Sequence, residues 1–147
     1  MLFRSCVPGT GDFAIEAGRG YFVRTDAPGA FGVTGVPFDG RLALELRAGW
    51  NLVGLPGTGP RMSAAGIVGA IEAAAAPPGS DASPVVPEMD WWEAGQWVAH
   101  IRGLPVNATK TLPDGRGVFV RLTRPTTWLA PGLVGTNRVV VEAGADR

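Results

Sequence analysis

Thirteen residues, Met89 to Ile101, gather most of the side chains in this sequence that could do chemistry: the only histidine, His100, two carboxylates, Asp90 and Glu93, and three tryptophans, Trp91, Trp92 and Trp97. A serine or cysteine nucleophile needs a base within hydrogen-bond reach, so an imidazole-driven hydrolase would have to run through His100. Cys6 is the only thiol that could partner it, and no Gly-x-Ser-x-Gly elbow is present. Asp90 and Glu93 suggest a second chemistry, in which two acids act on a glycosidic bond while the neighbouring rings stack on sugar. The same three tryptophans, with the acids idle, would make a passive carbohydrate-binding surface. Each group also has a plainer reading. Tryptophans pack hairpins, and a histidine on a strand is usually solvated or hydrogen-bonded.

Metal chemistry finds little support. His100 with Asp90, Glu93 or Glu88 falls short of a recognisable ligand pattern, and one cysteine allows neither an intrachain disulfide nor a cysteine-based zinc site. No catalytic residue, metal or cofactor is therefore expected. Thirteen basic residues balance thirteen acidic ones, leaving no basic stripe for phosphates and no polybasic patch for an anionic membrane. Neither nucleic acid nor membrane insertion is expected. The Ala-rich run near residue 70 is too short to span a bilayer, and the opening residues hold no apolar run long enough for a signal peptide. Asn107-Ala108-Thr109 matches a glycosylation acceptor by pattern alone.

The elements that must position these residues are mostly strands. Twenty-two glycines and 13 prolines imply many turns, while 46% hydrophobic content argues against disorder. Arg41 to Arg47 alternates strictly, turning Leu42, Leu44 and Leu46 toward a core. Ala48-Gly49 then leads into a strand from Trp50 to Pro56, expected to lie beside the first, with Trp50 in the core. Gly57-Thr58-Gly59-Pro60 lacks the third glycine of a dinucleotide loop and reads as a turn. Ser63 can cap a helix running to about Ala76, with Ile67, Val68 and Ile71 as its apolar stripe and Gly66 and Gly69 permitting close backbone approach. Residues 77 to 88 read as a loop or linker, and Met89 to Ile101 as a hairpin turning at Glu93 to Gly95.

A repeated block frames all of this. Gly18-Arg19-Gly20-Tyr21-Phe22-Val23-Arg24 returns as Gly115-Arg116-Gly117-Val118-Phe119-Val120-Arg121, displaced by 97 positions. The same offset places Arg41 over Arg138 and Glu45 over Glu142, so the sequence argues for tandem modules rather than a short-period solenoid. Each copy reads as a hairpin, and phosphate cradling by its glycines is disfavoured because no helix follows.

The order Gly49-Trp50-Asn51-Leu52-Val53-Gly54-Leu55-Pro56, a small helix, Asp90-Trp91 with Trp97, then Gly115-Arg116-Gly117-Val118-Phe119-Val120 resembles the GWNL-type repeat module of secreted prokaryotic cell-surface proteins. The likeness covers residues 37 to 134. It implies an extracellular or wall-associated spacer without catalytic residues, although Asp90 precedes rather than follows Trp91 and no signal peptide is seen.

The combined expectation is a mainly β chain, an antiparallel sandwich or partly open barrel with one short α-helix at about 63–76. Residues 37–134 would be one complete module, 1–36 the end of a preceding repeat and 135–147 the first strand of a following one, as in an excised fragment. Function is expected to be non-catalytic, as a structural or interaction module, with carbohydrate binding through Trp91, Trp92 and Trp97 second and a hydrolase acting through His100 third. The terminal strands would satisfy each other within one chain or, preferentially, between two chains of a homodimer.

Overall fold

The computed structural model describes residues 16–21, 29–32, 41–55, 62–76, 84–112, 115–131 and 138–141. Its elements are β1 (Gly29–Gly32), β2 (Arg41–Leu46), β3 (Gly49–Gly54), α1 (Ala64–Ala75), β4 (Glu88–Glu93), β5 (Gln96–Ile101), β6 (Gly117–Leu122), β7 (Thr126–Pro131) and β8 (Arg138–Val141). Every strand pair is antiparallel. They form a four-stranded sheet in the order β3-β6-β4-β5 and two two-stranded sheets, β2-β7 and β1-β8. The fold is the expected mainly β arrangement with one helix, open rather than closed into a barrel.

Alternation decides what each strand buries. Leu44 and Leu46 of β2 and Trp128 and Ala130 of β7 turn one face of their pair inward. Val53, Met89, Trp91, Val118, Val120 and Leu122 do the same for the four-stranded sheet, and Ile67, Val68 and Ile71 of α1 complete a single core cluster. Each such side chain contributes roughly 1.5–3 kcal/mol by leaving water. The helix starts and stops where its sequence says it should: the Ser63 side chain accepts from the Gly66 amide at 3.1 Å, and Ala76 caps the other end. Arg124 donates to the Ala75 carbonyl at 3.1 Å, placing a cation where the helix dipole is negative.

Three expectations are corrected. β2 and β3 are not neighbours in one sheet. Between them Gly49 takes φ +90° and the Asn51 side chain closes the corner, accepting from Arg47 N at 2.9 Å and donating to Arg47 O at 2.8 Å. The corner sends the chain from one layer to the other. Gly66 and Gly69 are exposed and permit no close packing: a Cβ at Gly69 would meet nothing within 4 Å, and one at Gly66 only its own cap. Residues 84–87 are loop, as one of the two readings expected, but not a linker, because Val85 and Val86 are buried in the core and Thr123 N donates to Val85 O at 2.9 Å. Two adjacent valines in a Pro-rich stretch carry no periodicity that would announce this.

The two copies of the repeated block share a local shape, since Gly18 and Gly115 both take a left-handed conformation, at φ +76° and +74°. An isolated bridge joins Arg19 to Val53, and the strand expected from Tyr21 onward falls, beyond Tyr21 itself, outside the described residues. So do the first strand of that hairpin, the Gly57 turn and Cys6. At the ends, β1 pairs with β8 within one chain. The offset of 97 places Gly29 on Thr126 and Arg41 on Arg138, so this ladder joins the counterparts of β7 and β2, which also pair. The two ladders differ in register by two residues, which leaves the alternation in phase.

Candidate functional site

The four-stranded sheet has an outward face more aromatic than its inward one, with Trp50, Trp92, Trp97 and Phe119 against Trp91. Pairing places Trp92 opposite Trp97, Phe119 opposite both Leu52 and Asp90, and Trp50 opposite Arg121, all on the face opposite Val53, Met89, Val118 and Val120. Trp50, Trp92 and Trp97 are 44%, 42% and 53% exposed. Their rings form a continuous row: Trp92 to Trp97 at 5.2 Å, Trp97 to Phe119 at 5.6 Å and Phe119 to Trp50 at 6.3 Å between centroids. Every step is edge-to-face, with interplanar angles of 78°, 65° and 83° along the row.

Asp90 stands in this face between Phe119 of β6 and Ala99 of β5. Its Oδ1 is buried and has no hydrogen-bond partner. Burial, reinforced by the nearby charge of Glu88, pushes its carboxyl above the ordinary range. Glu88 is itself 3.7 Å from Arg121.

Glu93 lies across the sheet from Asp90. Three residues along a pleated strand reverse the face, and Glu93 shares the inward side with Trp91, whose indole donates to its Oε2 at 3.3 Å. Lys110 reaches the same oxygen at 2.5 Å and is the main cause holding the Glu93 carboxyl below its usual range, with the Trp91 bond adding to it. Asp90 and Glu93 therefore cannot flank one glycosidic bond. Trp91 also leaves the candidate surface, being 1% exposed and in the core.

His100 points inward and is 5% exposed, with Nδ1 a loose 3.5 Å from Val106 O. It borders a shallow cavity of about 410 Å³ between α1 and the loop after β5, together with Val68, Glu72, Arg102 and Leu104. Arg102 is paired with Glu72 there, and among the described residues no serine, threonine, cysteine or lysine lines the cavity. Among the described residues no group of three or more His, Cys, Asp or Glu side chains could hold a metal, and no helix is long and apolar enough to cross a membrane. The Asn107 amide of the glycosylation pattern is engaged, donating to Ala99 O at 2.8 Å.

Sequence reasoning missed two members of the row. Its residue type places Trp50 in the core, yet it stands three positions from inward Val53 and so on the other face, 44% exposed. Phe119 alternates with Val118 and Val120 in the same way. Compared with known protein families, curated proteins and solved structures, the chain matches none.

Proposed function

We propose that the chain is a non-catalytic interaction module of a repetitive surface or secreted protein, with residues 37–134 as one module between parts of its neighbours. The observation that carries this reading is the outward aromatic row, a contiguous apolar surface on a sheet already packed on its other side. The matching turn conformations of Gly18 and Gly115 support the tandem organisation.

A specific feature favours carbohydrate as the ligand of that row. Sugar rings offer apolar faces that stack on aromatic side chains, and Trp50, Trp92 and Trp97 present half-exposed rings along one row on the same face. Affinity electrophoresis through gels containing soluble polysaccharides tests this. Retardation of the native chain that is lost in Trp97→Ala and kept in Trp97→Phe is the expected result. Equal mobility in every polysaccharide would remove the carbohydrate assignment, and retardation unchanged by Trp97→Ala would remove the aromatic row as its site.

A further inference from the structure

β3 carries a copy of the Gly-Arg-Gly turn on each edge. On the β6 edge, Leu55 N donates to Arg116 O at 2.9 Å and Gly115 N donates to Leu55 O at 3.2 Å. On the opposite edge, Gly54 N donates to Gly18 O at 3.0 Å and Gly20 N donates to Leu52 O at 3.3 Å. The same three-residue turn thus uses different backbone groups in its two positions. One edge continues into the full β3-β6 ladder, whereas on the other the described residues make this short contact and the Arg19-Val53 bridge.

The short contact is shaped for glycine on both sides. A Cβ on Gly54 would sit 2.6 Å from the Arg19 carbonyl oxygen, and one on Gly20 2.6 Å from Leu52 Cγ. Gly18 combines its positive φ with a Cβ position 2.4 Å from Leu44 Cδ2. Gly117, the counterpart of Gly20, is under no such constraint on its own edge, where a Cβ would meet Leu52 Cδ1 at 3.8 Å. The second glycine of the turn is required only by the outer-edge docking, yet both copies have it.

We propose that the outer edge of β3 is a strand-docking site for the Gly-Arg-Gly turn of a second copy of this chain. Residues 16–21 occupy it in cis, and the turn of a neighbouring copy enters when they leave. This rests on the interaction-module reading and names its partner. Strand addition suits the role, because backbone groups supply the bonds while the glycine-lined slot rejects side chains at the two inner positions. It also covers an edge that would otherwise pair indiscriminately.

The test uses the full chain carrying Gly20→Val, which evicts the cis turn while leaving β3 unaltered, with a fluorescent peptide of residues 11–25 as the probe. Hydrogen exchange over residues 16–21 should accelerate in the variant. The peptide should bind the variant at least tenfold more tightly than the native chain, whose slot is filled, and a peptide with valine at position 20 should bind neither. Gly18→Ala serves as the second evicting variant if Gly20→Val does not fold. An evicted turn with no peptide binding, or exchange unchanged in a folded variant, would overturn the proposal. Neither readout involves the tryptophan row, so failure here is distinct from failure of polysaccharide binding.

Discussion

Asp90 carries an energetic cost that its neighbours do not relieve. With Oδ1 buried and unpartnered and Glu88 close by, its folded-state carboxyl ionises above the ordinary value of 3.8. Below that value folded and unfolded chains both hold the proton. As pH rises the unfolded chain releases it first, so the stability that neutral Asp90 contributes in acid is lost as pH passes its folded value. Glu93 works in the opposite sense: held down by Lys110 and the Trp91 indole, it contributes above its ordinary value of 4.5 and loses that contribution as pH falls through its folded value. Asp90→Asn is expected to melt higher than the native chain at pH 7, with the gap closing below about pH 3.8. Calorimetry across that range checks it, and a constant gap would mean that charge is not the cause. Thr126 poses a related problem without charge, because its buried hydroxyl has no partner. Thr126→Val keeps the shape and removes the orphan, for an expected gain of about 1 kcal/mol, or roughly 2–4 °C in melting temperature at this chain length. Much of this was legible in sequence: Asp90 and Trp92 share a parity, and that alone separates outward Trp92 from inward Trp91. Which polar atoms lack partners was not, since that depends on side chains brought in from other strands.

Among the elements, the helix and the tryptophan hairpin could be placed almost to the residue because their signals are local. Ser63 lies at the cap position, Pro77-Pro78 follow the last turn, and two residues, Ala94 and Gly95, separate strands that both carry tryptophan. The hairpin pairs six residues on each side of Ala94-Gly95, both with positive φ, at 49° and 80°. That is the geometry of a type I′ turn, whose twist matches that of the flanking strands. Alanine at its first position is the weak link, because the left-handed region costs an L-residue with a Cβ about 1–2 kcal/mol. Ala94→Asn should therefore stabilise the chain by about 1 kcal/mol, seen as a higher urea midpoint with unchanged slope. A lower midpoint would show that Ala94 makes a contact worth more than the strain. Sheet partnership was harder to read. Strand pairing is non-local, and the Asn51 corner that separates β2 from β3 resembles in sequence any Gly-containing hairpin turn. Nothing in Arg41 to Leu55 says that β7 and β6, some sixty to ninety positions away, are the true partners.

On the scale of the whole molecule the chain closes on itself. The ladder of β1 with β8 joins segments more than a hundred positions apart and brings together the counterparts of β7 and β2. The displacement of 97 made this pairing readable before any coordinates, because segments that resemble partners should find one another. The two-residue difference in register was not readable, since either register keeps the alternation in phase. Both expected arrangements use the same four residue pairs; here they form within one chain and give each strand one paired edge. Closing so long a loop is entropically costly for four residue pairs, but the cost grows only slowly with length, and an unpaired edge is a hazard on its own account. A chain ending at position 135 lacks β8 and should lose hydrogen-exchange protection over residues 29–32, while protection from β2 to β7 stays as it was. Light scattering should read one chain mass, 15.3 kDa, for the intact protein. A doubled mass that collapses on truncation would show instead that the ladder is exchanged between two chains, and unchanged protection at residues 29–32 would show that β1 has another partner.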